Sequence, residues 1–116
     1  MIGGFIVGPA KAADTRVVVR GIGPSLSGSN VPNPLQDPTL ELHNRDGDKI
    51  AINDNWKIDD QTQQSQQSAV QATGLAPKDD RESAILITLT PGNYTAILAG
   101  KGGTTGIGLV EIYNVK

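Results

Sequence analysis

The sequence predicts an all-β protein, an antiparallel β-sandwich of jelly-roll-like type with about seven to eight strands. Short stretches of alternating or β-branched apolar residues recur along the chain, and this is the pattern of strands in a sandwich. Fourteen glycines and seven prolines in 116 residues suit many tight turns between short strands. The length is that of one domain without internal repeats, so residues 1–116 are predicted to form a single sandwich.

Three segments in the first half of the chain are predicted strands. Residues 2–7 are mostly apolar, although two adjacent glycines weaken the pattern. Residues 15–22 are rich in valine, and we expect their centre to be buried on both faces. Residues 39–44 alternate, which directs Leu40 and Leu42 inward.

Turn signals predict two hairpins. An Asp-Gly pair at 46–47 separates residues 39–44 from a returning strand at 49–52, and Asp-Gly favours hairpins because it tolerates positive φ. A Thr-Pro-Gly-Asn turn lies between residues 83–89 and 94–99, which predicts a second hairpin.

The remaining elements are a last strand and a polar segment. Residues 106–113 are predicted to form the last strand. The segment that precedes Gly74 is polar and rich in glutamine, and it predicts a short surface helix over residues 63–72. An ordered loop around residues 62–73 is the alternative.

Composition argues against several classes of function. A net charge of −2 creates no field that favours nucleic acid, and no apolar run approaches the ~20 residues that cross a bilayer. The absence of cysteine removes disulfides, thiolate metal sites and cysteine nucleophiles. Residues 1–7 are apolar but follow no basic flank, so we expect no export signal in this chain. We predict neither a nucleic-acid partner nor membrane insertion.

Two patterns imitate catalytic or cofactor loops and fail on detail. The Gly-Ile-Gly-Pro-Ser-Leu sequence at 21–26 lacks the third glycine and the following helix of a dinucleotide-binding loop. The same stretch has Ser27 where a nucleophile elbow needs glycine. His43 is the only histidine, and the alternation places it on the solvent side of its strand beside Glu41. We therefore predict no catalytic residue and no enzymatic activity.

Oxygen-bearing side chains cluster in the predicted turns. Calcium binds six to eight oxygens from carboxylates, amides and carbonyls, and loops of this composition supply them. Aspartate and asparagine are also common turn formers that hydrogen-bond to their own backbone. No cofactor is required by this sequence, but calcium is a candidate, with Asp46, Asp48, Asn53, Asp54 and Asn55 as the candidate ligands.

Two further features have one structural and one functional interpretation. Trp56 is the only tryptophan, and it is either a core residue or a binding platform on which a sugar stacks. The low number of aromatic residues favours the core. In the acidic stretch at 79–82, Arg81 is predicted to pair with a neighbouring carboxylate through both ends of its guanidinium group.

Two segments carry a set of motifs that resembles a known family. The motifs are Asp-Pro-Thr-Leu-Glu-Leu at 37–42, Asp-Gly at 46–47, Ile-Asn-Asp-Asn-Trp at 52–56 and Leu-Thr-Pro-Gly-Asn-Tyr-Thr at 89–95. Together they resemble the bacterial pre-peptidase C-terminal domain family. The resemblance implies a secreted jelly-roll sandwich of the kind attached to peptidases and other exported proteins.

A second set of motifs covers nearly the whole chain. It consists of Ile-Gly-Gly-Phe-Ile at 2–6, Arg-Gly-Ile-Gly-Pro-Ser-Leu at 20–26, Gly-Leu-Ala-Pro-Lys-Asp-Asp-Arg-Glu-Ser-Ala at 74–84, Gly-Lys-Gly-Gly-Thr-Thr-Gly at 100–106 and Gly-Leu-Val-Glu-Ile-Tyr at 108–113. This set is similar to a repeat domain of large secreted and surface proteins of environmental bacteria. The resemblance implies an extracellular or cell-surface location without enzymatic activity. It also implies a further strand upstream of Ile2, and therefore an open sheet edge here to which another chain can add a strand.

These observations predict a non-catalytic extracellular module for surface architecture, adhesion or self-assembly, with fibres formed by strand donation as one form of assembly. Its expected partner is protein, either a second copy or a neighbouring repeat. The alternative is a calcium-assisted module that binds glycan or protein as the accessory of a secreted enzyme.

Overall fold

The computed structural model describes residues 1–8 and 13–115, and it confirms the all-β sandwich. Two short 3₁₀ helices, Pro24–Ser29 and Lys101–Gly103, lie between strands. The other elements of the described chain are β1 (Ile2–Val7), β2 (Thr15–Ile22), β3 (Pro38–Asn44), β4 (Lys49–Asn53), α1 (Gln67–Ala72), β5 (Ser83–Leu89), β6 (Gly92–Gly100) and β7 (Leu109–Val115).

The strands form two antiparallel sheets. One sheet has four strands in the order β1-β6-β3-β4, and the other has three in the order β5-β2-β7. Across the core β4 packs against β5 and β6 packs against β7. The sandwich therefore has one lateral side formed by the edges of β4 and β5, and an opposite side formed by the edges of β1 and β7.

The main core lies between the sheets and follows the predicted alternation. Leu40 and Leu42 on β3 are fully buried against Val17 and Val19 of β2 and Leu98 of β6. Burial of each such side chain contributes about 1.5–3 kcal/mol to folding.

A second apolar cluster lies on the outer face of the three-stranded sheet. The partly buried Leu86 pairs with Val18 of β2, which is fully buried, so the two side chains share this face. The segment between β4 and β5, which includes α1, covers the face with Trp56 and Val70. No helix of the described chain is long and apolar enough to span a membrane.

The first hairpin is confirmed. β3 and β4 pair directly, and Gly47 at the turn has a φ of 83°, where a residue without Cβ is favoured. The Asn44 side chain closes the turn by accepting hydrogen bonds from the backbone N–H groups of Asp46 and Asp48, each at 3.0 Å.

The second predicted hairpin is wrong. β5 and β6 lie in different sheets, and the short turn between them crosses from one sheet to the other. The Tyr94 hydroxyl donates to the carbonyl oxygen of Thr90 at 2.6 Å, and its ring is buried in the main core. This contact stabilises the crossing, because it ties the turn to the first residues of β6.

Two element boundaries also differ from the prediction. The helix begins at Gln67, so it is shorter than predicted. The last strand begins at Leu109, because Ile107 instead exchanges backbone hydrogen bonds with Asn33 and Leu35 at 2.8 Å each.

Candidate functional site

The candidate calcium ligands fall into two groups at opposite ends of β4. Asp46 and Asp48 are exposed in the β3–β4 turn, whereas Asn53, Asp54 and Asn55 lie at the end of the strand. A five-residue strand spans about 16 Å, so the structure does not bring the two groups together. Within residues 1–8 and 13–115, no group of three or more acidic, histidine or cysteine side chains is arranged to hold a metal ion.

Asn53 is committed to structural hydrogen bonds. Its side chain is buried, and its oxygen accepts from the backbone N–H of Ala84 on β5 at 3.0 Å. Its amide nitrogen donates to the carbonyl oxygen of Ile58 at 2.8 Å and to the Asp60 carboxylate at 3.2 Å. Asn53 therefore joins the two sheets at the β4–β5 side.

Asp54 belongs to a small acidic cluster with Asp37 and Asp60. Lys101 donates to Oδ2 of Asp54 at 2.7 Å. Burial raises the pKa of Asp37, and the neighbouring Asp54 carboxylate raises it further. Burial also raises the pKa of Asp60. One oxygen of Asp37 and one of Asp54 are buried without a hydrogen-bond partner. Asp54 is the predicted calcium ligand in this cluster, and this oxygen can still accept a bond.

Trp56 is a core residue. It is only 4% exposed, and it packs with Val70 and Ala84 in the second cluster. The ammonium group of Lys57 lies 5.7 Å from the centre of the indole ring. This corrects the stacking interpretation, since a sugar needs an accessible ring face and the structure leaves none exposed.

The Arg81 ion pair has the predicted fork geometry. Its Nε lies 3.1 Å from Oδ1 of Asp79 and its Nη2 lies 3.2 Å from Oδ2. The Arg81 guanidinium lowers the pKa of Asp79, mainly through these hydrogen bonds. A third nitrogen donates to the Gln36 side chain at 3.2 Å, which links the loop before β5 to the loop before β3.

The sequence patterns did not identify the buried carboxylate of Glu82. This side chain is fully buried directly before β5. Its Oε2 accepts hydrogen bonds from the backbone N–H of Gly23 at 2.8 Å and of Ser25 at 3.0 Å, and also from the Ser25 hydroxyl. Its Oε1 accepts from the backbone N–H of Asp79 at 3.2 Å.

The loop at residues 21–26, whose sequence is similar to a dinucleotide-binding loop, therefore binds the Glu82 carboxylate of the same chain. Gly23 allows this close packing, because a Cβ there would lie 2.0 Å from the carbonyl oxygen of Leu35. The signal in the sequence was a glycine-rich turn whose N–H groups needed an acceptor.

The His43 ring, on the other sheet, contacts Glu41 at 3.0 Å and the carbonyl oxygen of Gly47 at 3.2 Å.

We call the free edges of β4 and β5, with the covering residues 53–66, the closed side of the sandwich. Side chains cap backbone groups there. Asn53 accepts from the N–H of Ala84, and Gln66 donates to its carbonyl oxygen at 3.2 Å. Gln66 also donates to the carbonyl oxygen of Trp56 at 2.7 Å, which fixes the covering segment in place. These bonds occupy the N–H and C=O groups of Ala84, which makes this position of the β5 edge unavailable to another strand.

We call the free edges of β1 and β7 the open side. β1 pairs with β6 on one side, and no strand of the described chain pairs with its other side. The six residues of β1 include no charged residue and no proline. Ile2 and Ile6 are 70% and 79% exposed on the outer face of the sheet. An uncharged edge strand with exposed apolar side chains is the kind of edge that pairs with another chain.

The hydrogen bonding of Met1 establishes which groups of β1 are free. The terminal amine of Met1 donates to the carbonyl oxygen of Leu98 at 3.0 Å, and the N–H of Leu98 donates back at 2.8 Å. Bonded and non-bonded pairs alternate along an antiparallel ladder. The N–H and C=O groups of Ile2, Gly4 and Ile6 therefore point away from β6, toward the open side.

Comparisons with protein-family models, with curated proteins and with solved structures found no match for this chain.

Proposed function

We propose that this chain is a non-catalytic β-sandwich module that assembles with other protein chains through its open side. The observation that carries the proposal is the β1 edge, which is uncharged, unpaired within the described chain and flanked by the exposed Ile2 and Ile6. Natural proteins protect free edges with charges, proline, bulges or covering segments. β1 has neither charges nor proline, whereas the closed side has side-chain caps and a covering segment.

The environment of the buried Glu82 carboxylate supports a non-catalytic role. A general acid–base pair needs titratable groups that face a shared cleft. The Glu82 carboxylate is buried and engaged by donors from its own chain. A cleft of about 380 Å³ at the turn end of the sandwich has Arg45 as the one charged residue among its described lining residues. Another cleft, of about 490 Å³, is lined by Lys57, Asp80 and Arg81, and there Lys57 and Asp80 form an ion pair at 2.9 Å.

An extracellular or cell-surface location is part of the proposal. Its support is the resemblance of the motifs at 2–6, 20–26 and 74–84 to a repeat of secreted and surface proteins. A surface protein that is built from such modules needs contacts between neighbouring copies. An exposed strand edge provides such contacts through backbone hydrogen bonds.

Self-association tests the proposal directly. We expect sedimentation velocity and light scattering to show reversible association that increases with protein concentration, and negative-stain microscopy to show pairs or longer assemblies. Ile6→Lys places a charge on the β1 edge and is expected to shift the protein toward monomer. Ile52→Lys, on the outer face of β4, is the matched control and should associate like the unmodified chain. A monomer at every concentration would contradict the proposal.

A calcium-assisted binding module is the second candidate. The unpartnered oxygens of Asp37 and Asp54 favour it, because carboxylate oxygens without donors are the groups that calcium binds. Lys101 already occupies the other oxygen of Asp54. Calorimetric titration with calcium and thermal melts with and without a chelator distinguish the candidates. A melting temperature that does not respond to calcium would eliminate this one.

A further inference from the structure

We infer that two copies of this chain pair through β1, antiparallel and around a twofold axis that passes beside Gly4. This inference rests on the proposed function and makes it specific, since it names the partner, the strand and the register. A second copy is favoured as the partner because β1 is complementary to itself in hydrogen bonding, side-chain size and charge.

The hydrogen-bonding groups restrict the register. The free groups of β1 belong to its even-numbered residues, as the Met1–Leu98 exchange shows. Two β1 strands therefore join only where even-numbered residues stand opposite even-numbered residues. The register that pairs Ile2 with Ile6 of the second copy, and Gly4 with its own equivalent, uses all three residues with free groups. Each of these pairs exchanges two backbone hydrogen bonds.

The side chains complement each other in this register. On the outer face, the exposed Ile2 of one copy lies beside Ile6 of the other, and this contact occurs twice because of the symmetry. Apolar cross-strand pairs of this kind stabilise sheets. On the inner face, Gly3 lies opposite Phe5 of the second copy, and the glycine adds no side chain that would crowd the Phe5 ring, which is stacked on Tyr94 with the ring centres 5.6 Å apart.

Charge and space also permit the pairing. β1 has no charged side chain, so self-pairing brings no like charges together, and the net charge of −2 gives little repulsion between copies. The twofold axis is perpendicular to the sheet and keeps both three-stranded sheets on the same face. β7 packs against β6 and also approaches the inner face of β1 at Gly3, where an added Cβ would lie 3.7 Å from Cγ1 of Val110, but no described strand pairs with the free edge of β1.

The interface is small. It consists of one six-residue strand from each copy. Interfaces that bury less than about 1,200 Å² in total are typical of weak and transient association. We therefore expect a dimer whose population depends on concentration. Such an interface suits modules that are held close together on a surface, where the effective concentration is high.

Substitutions at Gly4 test the register, because only this residue stands opposite itself. A side chain there meets no obstacle in the monomer, since the nearest atom to an added Cβ is the Tyr94 carbonyl oxygen at 3.9 Å. Gly4→Lys or Gly4→Glu alone places like charges directly opposite each other, and each variant is expected to be monomeric by sedimentation velocity. A mixture of the two places opposite charges together, and it should dimerise.

The outcomes separate this inference from the proposed function. Restored association in the mixture supports both. If the unmodified chain associates but the mixture stays monomeric, or if either Gly4 variant alone still associates, the β1 register is wrong and the assembly role stands. If the unmodified chain is monomeric throughout, both are wrong. Thermal melts of the variants verify that the monomer is folded.

A second pair of variants tests the same register without changing Gly4. Ile2→Glu and Ile6→Lys change exposed side chains outside the core. Each alone should weaken the dimer, whereas the double variant places the glutamate of one copy beside the lysine of the other and should recover it. A double variant that is no better than the single variants would contradict the register.

Discussion

The two lateral sides of the sandwich differ in how far the free backbone groups of their edge strands are bonded. Each side exposes the edges of two strands, whose unpaired N–H and C=O groups could pair with another chain. On the closed side, Asn53 and Gln66 bond to the backbone of Ala84, and the segment between β4 and β5 covers that edge. On the open side, β1 presents free backbone groups between two exposed isoleucines.

The difference shows that the protection of β5 comes from a connecting segment. β4 is short and carries Lys49, but β5 is an apolar strand like β1. Covering β5 requires a long polar loop whose amide side chains reach back to the sheet. The chain has one such loop in the described ranges, so one side is closed and the other is left free to make contacts.

The largest expected effect is that of Glu82→Gln, because Glu82 is fully buried directly before β5, the edge strand of the closed side. Its carbonyl oxygen accepts from the N–H of Trp56 at 2.9 Å, and its side chain accepts from Gly23 and Ser25. A glutamine replaces charge-assisted bonds and brings an amide donor to a site filled with donors. We expect a loss of about 3 kcal/mol in the free energy of unfolding, measured by denaturant titration.

The matched control for Glu82→Gln is Glu111→Gln on β7, at the open side. Glu111 pairs with Arg20 and accepts from the Tyr113 hydroxyl at 2.7 Å, and both members of the ion pair are partly exposed. A glutamine keeps one acceptor oxygen for these donors. The loss of the Glu111 charge should cost about 1 kcal/mol or less. Equal losses for the two variants would show that the buried Glu82 carboxylate stabilises the fold no more than the partly exposed Glu111 does.

The next prediction opens the closed side. Asn53→Ala removes the acceptor for the N–H of Ala84 and leaves that buried group unpaired. We expect a loss of about 2 kcal/mol, together with stronger self-association, because the β5 edge becomes available. Gln61→Ala is the control, since its bond to the carbonyl oxygen of Ile50 is long, at 3.5 Å, and exposed. An Asn53 variant with unchanged stability would show that the cap is unimportant.

Local patterns were sufficient for most strands but not for their pairing. The alternation around Leu40 and Leu42 and the Asp-Gly turn at 46–47 predicted the β3–β4 hairpin, because both signals lie within a few residues of the contact. The Thr-Pro-Gly-Asn turn failed, since alternating strands on either side of a tight turn suit a crossing between sheets as well as a hairpin. Tyr94, buried in the core with its hydroxyl on Thr90, favours the crossing.

At the candidate site, too, local sequence patterns did not predict contacts between residues that are distant in the chain. Glu82 follows Asp-Asp-Arg in the sequence, which indicates an exposed charged run, and its donors at 23–25 lie far back in the chain. The predicted calcium ligands share composition but lie at both ends of β4. The low aromatic content did favour a core position for Trp56, and the structure places it there.

The smallest expected effect concerns the acidic cluster beside the closed side. Burial and the Asp54 carboxylate raise the pKa of Asp37 in the folded protein. The folded state therefore binds this proton more tightly than the unfolded chain does. Its contribution to stability is complete below the unfolded pKa of about 3.9, and it is lost as the pH rises through the folded pKa. Ionised Asp37 thus costs stability at neutral pH.

Asp37→Asn keeps the shape of the side chain and removes this charge. We expect it to raise the free energy of unfolding at pH 7 by less than about 1 kcal/mol, because the group is only partly buried. The gain should vanish at a pH below the unfolded pKa, where Asp37 of the unmodified chain is also neutral. Asp46→Asn, in the exposed β3–β4 turn, is the control for a general change in net charge. A gain that persisted in acid, or that Asp46→Asn reproduced, would mean that the ionised Asp37 carboxylate is not its cause.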